Sequence, residues 1–524
     1  MKRFPWLKMR KKTEPELPLQ PPMWFGNQSN GEYFHFATQR DRKTRKLILE
    51  RADENARRIG IDRRDFLASA MGMVTTLFVL NEVSACSSSG KSSSGGGNLA
   101  KDSGADAKYR VDPEGMYDEQ LACHLVGGNE FIFDIQTHWF SKEDISTFPA
   151  YLNSFPGLFD LTTEDNYILD IFCKSDTSMV ALSAWPSLAC TGTTTTNCGL
   201  PLSNATNVAS RDRINGLVKG TKRVLSHCQI MAQDANGIDG QLQIMEQMAQ
   251  SGIAAWKLYP GFILPEAFTM DDPRGRAVIE KGIALGVPLF CVHKGLPIGP
   301  FFDTMGGNHP REIGVVAKDY PQAKFIIYHS AITTGYASTN EAPPEGPFDP
   351  SETDPKGTNA LIRSLIDNGI GPNQNVYAEV GSALNQVLKD PTVAAHFFGK
   401  LMKYVGTDNV CWGTDCIIYG SPQQFIEPFR KLSIPQSMQD QFGYPPLDDA
   451  QKAKIFGLNA AKPYGVDPDE KRCKLESCGV EAMRQRMDEE LGPRRWVFDQ
   501  PNGPKTHEEY IEQAEASMKL GRPG

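Results

Sequence analysis

Several ionisable side chains follow short apolar stretches of the sequence, at the points where strands would end. The stretch FIFDIQTHWF, residues 131–140, carries Gln136 and His138. Further along, His293, His329 and Asp415 each stand at the end of another apolar run. Imidazoles and carboxylates are the ligands of catalytic zinc, and the same groups transfer protons. One such histidine alone is more often a hydrogen-bonded core residue, but three histidines and an aspartate on four separate runs are hard to assign to packing.

Eight apolar runs alternate with helix-like stretches between about residues 130 and 465. The runs lie at 131–138, 179–185, 223–230, 253–259, 287–293, 324–330, 375–381 and 409–415. Near-continuous apolar strands separated by helices indicate parallel strands covered on both faces. Eight such units predict an α/β fold of the (β/α)8 TIM-barrel class, in which catalytic groups project from the carboxyl ends of the strands. A doubly wound open sheet is the alternative, but the GxGxxG signature of its dinucleotide-binding version is missing.

Four short motifs, in this order, resemble the amidohydrolase superfamily. DIQTH is similar to the family's DxHxH opening, FCVHKG and IIYHSA to its histidines on strands five and six, and CWGTDC to its strand-eight aspartate. The later segment KIFGLNAAKPYG resembles the closing helix of the family. The similarity covers about residues 128–466 and is closest to the amidohydrolase-related (amidohydrolase 2) branch. It implies a metal-dependent barrel enzyme.

The resemblance also implies roles for these residues. One divalent ion, Zn²⁺ by default with Mn²⁺ or Fe²⁺ admissible, would be bound by His138, His293 and Asp415. Asp415 would also accept the proton of the attacking water, and His329 would bind substrate or water, or act as acid or base. Gln136 departs from the pattern, because most metal-dependent relatives have His there. Either Gln136 is a weak ligand or water anchor in a one-metal site, or metal binding is lost and the barrel only binds ligands.

Four further residues near strand ends are candidates for contacting a substrate: Lys257, Glu379, Trp185 and Tyr259. Lys257 could pair with an acidic group of the substrate or with a carboxylate at the rim. A carboxylated lysine bridging two metal ions would need the full first-strand ligand pair, which is absent. Glu379 could instead pair with a lysine, and the two aromatic residues could instead belong to the core.

The sequence of the N-terminal part has features that predict export. Residues 1–66 carry 16 Lys and Arg against 9 Asp and Glu, whereas the whole chain of 524 residues has a net charge of −8. Arg63 and Arg64 precede a weakly apolar run ending in VSAC, which looks like a twin-arginine signal with a lipobox at Cys86. A plain cleavage site after Ala85 and a cytosolic amphipathic helix are the alternatives. Export implies the periplasm or cell envelope, with the twin-arginine machinery as partner and membrane contact only through the signal or a lipid anchor.

Five segments follow from these patterns: a basic extension at 1–62, the signal at 63–86, a flexible Ser/Gly linker at 87–126, the barrel at 127–466 and a C-terminal extension at 467–524. The acidic body gives no reason to expect nucleic-acid binding. Two close cysteine pairs, Cys190 with Cys198 and Cys473 with Cys478, could form disulfides in an oxidising compartment. The cysteines within apolar runs are expected to be buried and unreactive: Cys291, Cys411 and Cys416.

Three functions fit these features. The preferred one is a metal-dependent hydrolase that acts on C–N or C–O bonds of a small molecule through a metal-activated water. The second is a metal-dependent non-oxidative decarboxylase of an aromatic or enol-type acid. Gln136 slightly favours this alternative, because relatives in that branch depart from HxH. The third is a catalytically silent ligand-binding protein of the envelope. The sequence specifies neither the substrate nor the oligomeric state.

Overall fold

The computed structural model of the chain describes residues 19–29, 34–35, 37–88, 107–141, 162–184, 202–217, 222–232, 237–261, 267–296, 306–333, 345–471 and 485. Its strands are β1 (Gln28–Ser29), β2 (Phe34–His35), β3 (Lys108–Tyr109), β4 (Phe133–Thr137), β5 (Met179–Leu182), β6 (Val224–Ile230), β7 (Ala255–Leu258), β8 (Leu289–His293), β9 (Lys324–Tyr328), β10 (Val376–Glu379), β11 (Val410–Cys411) and β12 (Leu432–Ser433).

The helices in the N-terminal part are α1 (Gln39–Ile59), α2 (Arg63–Leu67), α3 (Ala70–Ser88) and α4 (Glu119–Val126). Those that follow the barrel strands are α5 (Glu164–Ile168), α6 (Asn204–Leu217), α7 (Ile238–Ala249), α8 (Pro273–Ala284), α9 (Ile313–Asp319), α10 (Gly357–Asp367), α11 (Ala383–Val387), α12 (Pro391–Tyr404), α13 (Gln423–Lys431), α14 (Gln436–Phe442), α15 (Asp449–Ala453), α16 (Asn459–Tyr464) and α17 (Pro468–Lys471).

Strands β4 to β11 form one sheet of eight parallel strands in sequence order. Backbone hydrogen bonds close this sheet between its first and last strands: His138 N donates to Cys416 O at 2.7 Å, and Asp415 N donates to Gln136 O at 2.8 Å. The predicted (β/α)8 TIM barrel is confirmed. Each of the eight apolar runs contains one barrel strand, although the last run forms only the two-residue β11.

Two apolar cores stabilise the barrel. The smaller core includes Phe133, Ile135 and Tyr328, and the larger one joins the strands to the surrounding helices. The helices begin where the sequence supplies caps. At the start of α12, for example, the Asp390 side chain accepts hydrogen bonds from two backbone amides, and Pro391 occupies the first turn. Burial on both faces explains why the strands read as continuous apolar runs.

The N-terminal helices pack on the barrel. Helix α3 buries apolar side chains that include Val74, Leu77 and Leu80. Its Asn81 side chain is bonded to both backbone groups of Tyr109, at 2.8 and 2.9 Å. The neighbouring strand β3 pairs with β12, which directly follows the helix α13. The segment predicted as the apolar part of a signal is therefore packed into the folded body.

The expected linker over 87–126 differs from the structure in its second part. From Lys108 onward that segment contains β3, a short helical turn at Pro113–Met116 and α4. The Tyr109 side chain is buried, and its hydroxyl donates to the Leu388 carbonyl oxygen at 2.5 Å, which explains why this part is structured. Among the described helices, none is both long and apolar enough to span a membrane.

Candidate active site

The carboxyl ends of five barrel strands carry the chemically active side chains. These are His138 after β4, His293 at the end of β8, His329 after β9, Glu379 at the end of β10 and Asp415 after β11. All five are at most 2% exposed. Because parallel strands present their carboxyl ends at the same rim of a barrel, the sequence-predicted residues meet on one side of the molecule.

His138 and Asp415 form one contacting pair. His138 Nδ1 donates to the carbonyl oxygen of Ser183 at 2.8 Å, and His138 Nε2 lies 2.9 Å from Asp415 Oδ1. Burial works to raise the pKa of Asp415, but the hydrogen bond and charge of His138 outweigh it, so this pKa lies well below its usual value. With Nδ1 donating to Ser183, a ring that carries no proton on Nε2 directs a nitrogen lone pair at this carboxylate. Such a contact needs a proton or a cation between the two atoms.

Three other residues hold the Asp415 carboxylate or support its partners. Gln136 Nε2 donates to Asp415 Oδ1 at 3.0 Å, and Ser382 Oγ donates to Asp415 Oδ2. The Ser382 hydroxyl is also bonded to the Tyr419 hydroxyl at 2.9 Å. Ser382 and Tyr419 escaped the sequence interpretation. Ser382 stands just after the seventh apolar run, which is a usable signal, whereas no local pattern marks Tyr419.

His293 and His329 form the second pair. His329 Nδ1 lies 2.8 Å from the carbonyl oxygen of Gly381 and must donate to it, since a carbonyl only accepts. His329 Nε2 then accepts from His293 Nδ1, at 3.1 Å. Burial lowers the pKa of His329 to about 4 and also lowers that of His293, so both rings are neutral near pH 7. This arrangement places the lone pair of His293 on Nε2.

Two buried carboxyl groups connect the strands at the rim. Glu379 accepts hydrogen bonds from the backbone amides of His329, at 2.9 Å, and Gly381, and burial raises its pKa to about 8. Asp134 accepts from the backbone amide of Thr414 at 3.0 Å, and burial raises its pKa to about 7. Asp134 was not identified from the sequence. The expected substrate contact of Glu379 stays a prediction, and the structure gives that side chain a backbone-anchoring role.

Strained backbone accumulates at this rim. Positive φ angles of non-glycine residues occur at His329 (60°), Ser330 (49°), Ala331 (56°), Ser382 (54°) and Asp415 (64°). Each such conformation costs about 1–3 kcal/mol and is kept where the surroundings enforce it. Two of the five, His329 and Asp415, carry candidate catalytic side chains, so these two side chains project from strained backbone.

Lys257 lies inside the barrel and close to this group. Its Nζ is 3.3 Å from the centroid of the Tyr328 ring and 4.4 Å from that of Tyr259. The Tyr259 ring in turn lies 5.1 Å from the His293 ring, and its hydroxyl donates to the carbonyl oxygen of Ala184. The structure thus brings Lys257 and Tyr259 beside the histidines, but it does not test their contact with a substrate.

The remaining candidates have different outcomes. Trp185 lies outside the described residues, as do both cysteine pairs that could form disulfides. Cys86 lies within α3, and its lipidation stays a prediction. The three cysteines in apolar runs are free and buried, as predicted: Cys291, Cys411 and Cys416.

The donor set can be tested for its fit to a divalent ion. Within the described ranges, no group of three or more His, Cys, Asp or Glu side chains is arranged to hold a metal ion. The candidate donors instead form the two pairs described above. Their chemistry nevertheless suits a cation, because the Nδ1 atoms of His138 and His293 are hydrogen-bonded, and Nε2 is the ring atom that a metal-binding histidine then presents. In addition, the buried Oε1 of Gln136, beside Asp415, has no hydrogen-bond partner in the described part of the chain.

Residues 221–466 match the model of a protein family described as Amidohydrolase. The match includes the strands that carry His293, His329 and Asp415, but it begins after β4 and β5. It therefore leaves out Gln136 and His138. A search of curated proteins found no match.

Three solved structures that the chain matches are only distantly similar to it in sequence. An uncharacterised TIM-barrel protein from Bordetella bronchiseptica is 14% identical, with a TM-score of 0.39 over 64% of this chain and 99% of that chain. Amidohydrolase 2 from Bifidobacterium longum subsp. infantis is 14% identical, with a TM-score of 0.30 over 64% and 100%. An amidohydrolase from Mycobacterium avium subsp. paratuberculosis K-10 is 11% identical, with a TM-score of 0.33 over 65% and 100%.

Proposed function

We propose that this protein is a metal-dependent hydrolase of the amidohydrolase type, acting on a C–N or C–O bond of a small molecule. The observation that carries the proposal is the pair of His138 Nε2 and Asp415 Oδ1, 2.9 Å apart. With Nδ1 of His138 committed to the Ser183 carbonyl oxygen, the two facing atoms are both acceptors while the ring is neutral. A proton or a metal cation between the two atoms would remove that conflict, and we propose the metal cation because His293 and Gln136 supply further donor atoms at the same rim.

The proposed ligands are His138, His293 and Asp415, with Gln136 as a further oxygen donor. A divalent ion bound by them would supply the acidity that makes water a nucleophile near neutral pH. Asp415 stays ionised and is fixed by Ser382 and Gln136, so it is placed to accept the proton of that water and to pass it to the leaving group. The family match over residues 221–466 supports this assignment.

His329 is proposed to orient its neighbour and to contact the reacting groups. Its Nδ1 is fixed on the Gly381 carbonyl oxygen, and its Nε2 fixes the tautomer of His293. Because its pKa is about 4, the ring is neutral at physiological pH and acts as a hydrogen-bonding group more readily than as a cation. Lys257 and Tyr259 would contact an acidic or aromatic part of the substrate.

A metal-dependent non-oxidative decarboxylase is the second candidate. One observation favours it: Gln136 stands where a histidine ligand is expected and uses its amide nitrogen to bind Asp415. In that chemistry the substrate carbon atom would take up a solvent-derived proton after the loss of carbon dioxide, and no water would be incorporated.

The test is turnover in H₂¹⁸O with a panel of small amides, esters, lactones and aromatic acids, after loading with Zn²⁺ or Mn²⁺. A hydrolase places one ¹⁸O atom in the product acid, whereas a decarboxylase releases carbon dioxide without solvent oxygen in its other product.

Asp415→Asn should lower kcat/KM about 10²–10⁴-fold. Asp408→Asn, a partly exposed residue paired with Lys454, is the matched control and should keep full activity. Inactivity of the metal-loaded wild type on every compound would reject both enzymes in favour of a ligand-binding barrel.

Export to the periplasm or cell envelope is proposed as well. It is supported by Arg63 and Arg64 before the weakly apolar α3 and by the VSAC sequence that ends at Cys86. The twin-arginine machinery would be the partner of this segment.

A further inference from the structure

Gln229 and Lys257 are neighbours inside the barrel. They are register partners on the parallel strands β6 and β7, so their side chains point to the same face of the sheet. Lys257 lies against the rings of Tyr328 and Tyr259. Gln229 is two residues beyond His227, whose ring stacks on Tyr464 and is bonded to the Tyr328 hydroxyl. Both side chains therefore face the barrel interior, on the wall that also carries His293.

The amide oxygen of Gln229 is buried without a hydrogen bond. The backbone of Gln229 is fully bonded, since its N–H donates to Asn204 Oδ1 and its carbonyl accepts from Asn204 Nδ2. The side-chain Nε2 contacts the sulfur of Met231. Oε1, in contrast, has no partner among the residues that the structure describes, although Gln229 is only 2% exposed. Folded proteins pair nearly all such atoms with protein groups, ordered water or a ligand, and this one lies near the end of a strand that leads to the candidate rim.

Ser183 provides a second atom of this kind. Its carbonyl oxygen accepts from His138 Nδ1, whereas its hydroxyl is buried and has no hydrogen-bond partner in the described ranges. Ser183 directly follows β5, the strand next to β6. The Gln229 amide oxygen and the Ser183 hydroxyl, on adjacent strands, are thus two polar groups that could bind a ligand near His138.

The chemistry of these groups defines what they would bind. An amide oxygen accepts only, so Gln229 needs an O–H or N–H donor, and the ammonium of Lys257 attracts an anionic oxygen. Adjacent strands are about 4.8 Å apart. The donor that binds Gln229 and the anionic oxygen that binds Lys257 must therefore lie close together on one small molecule. We propose that Gln229 and Lys257 recognise a small carboxylic acid that carries a hydroxyl or amino group near its carboxylate. This inference names the substrate class of the proposed enzyme and rests on that function only for the claim of turnover.

The test uses calorimetric titration of the full-length protein with benzoate and 3-hydroxybenzoate. Wild type should bind the hydroxy acid about fivefold to tenfold more tightly, as one additional hydrogen bond predicts. Gln229→Met should bind both acids with the affinity that wild type has for benzoate. Lys257→Met should weaken the binding of both acids. Equal affinities of wild type for the two acids, or binding of neither, would overturn the proposal.

A matched control uses Gln241, whose Oε1 accepts from the backbone amide of Met231 at 2.9 Å. Gln241→Met leaves that amide without its partner and should lower Tm, while discrimination between the two acids persists. Gln229→Met should change Tm of the ligand-free protein little, because it removes only the contact of Nε2 with the Met231 sulfur and no bond to Oε1. An equal drop in Tm for both variants would mean that Gln229 is a structural residue, against the proposal.

The same measurements distinguish failure of the proposed enzymatic function from failure of the proposed recognition site. Wild type that discriminates between the acids but binds no metal and turns nothing over would keep the recognition site and reject the hydrolase. Wild type that binds metal and turns substrates over, but does not distinguish the two acids, would reject the recognition site alone.

Discussion

Asp415 is the residue on which the chemical account depends. Three side chains, from Gln136, His138 and Ser382, converge on its two oxygens. A carboxylate bound in this way cannot rotate, so its remaining lone pairs keep a fixed direction. The sequence identified Asp415 and His138 because each ends an apolar run.

Other contacts of the site could not be predicted. Asp134 bonds to Thr414, which lies 280 positions away in the chain. Such a pair follows from barrel closure, which no local pattern specifies. The hydroxyl of Tyr419 meets Ser382 for the same reason, since both stand on loops whose paths depend on the whole fold.

His396, a buried histidine that does not belong to the candidate site, predicts how stability depends on pH. Burial and the nearby Lys400 lower the pKa of His396 to about 4, and its Nδ1 is hydrogen-bonded to the Tyr444 hydroxyl at 3.1 Å. The unfolded chain takes up this proton near pH 6.5, and the folded chain only near pH 4. His396 should therefore not change the pH dependence above pH 6.5, and the protein should lose about 2–3 kcal/mol through this residue as the pH falls from 6.5 to 4.

Urea denaturation of His396→Gln across this pH range checks the prediction. The variant should show a shallower loss of unfolding free energy than wild type between pH 6.5 and 4. His124→Gln, at an exposed position on α4, should follow the wild-type curve. Identical slopes for wild type and His396→Gln would show that His396 accepts its proton normally in the folded protein.

At the scale of elements, the rim requires glycine where strands approach the buried carboxyl groups. Gly413 follows β11, and a Cβ atom there would overlap the Glu379 carboxylate. Gly413→Ala should therefore displace Glu379 from the His329 amide, destabilise the protein by about 1–3 kcal/mol and reduce activity. In the helix α6, Gly216 has open space around its Cα, so Gly216→Ala should stabilise by about 0.5–1 kcal/mol. Thermal melts of both variants measure these changes in stability. An unchanged Tm for Gly413→Ala would contradict the close approach of Gly413 to the Glu379 carboxylate.

The elements themselves were largely predictable. Every barrel strand lies in an apolar run, because strands buried on both faces need apolar side chains at successive positions. The run at 409–415 is the informative exception, since only Val410 and Cys411 form a strand. Beyond them the chain turns to close the barrel, and Asp415 adopts a positive φ that its residue type does not indicate.

At the scale of the whole molecule, α3 has two competing interpretations. Its sequence is typical of the apolar part of an export signal, yet the helix packs in the folded body. Arg40 and Ser84 both bond to Asp390 at the start of α12, which links α1 and α3 to the barrel. Export stays a prediction, whereas the packing of α3 has a direct consequence for stability.

Leu77 of α3 is fully buried. Leu77→Ala should lower the free energy of unfolding by about 2–5 kcal/mol, as truncation in a packed core does. Ile61, between α1 and α2, is 40% exposed, and Ile61→Ala should change stability by less than about 0.5 kcal/mol. Chemical denaturation of the two variants measures the difference. Equal, small effects would show that α3 does not contribute to the folded body.

The measurement that tests the central claim most directly is metal content. Full-length protein, which keeps α3 on the barrel, is purified without chelator and analysed by elemental mass spectrometry beside His293→Ala and Asp408→Asn. We predict about one equivalent of a divalent metal in wild type and in Asp408→Asn, and its loss in His293→Ala. Wild type that remains without metal after incubation with Zn²⁺ or Mn²⁺ would contradict the account. His138 and Asp415 would then be an ion pair that shares a proton.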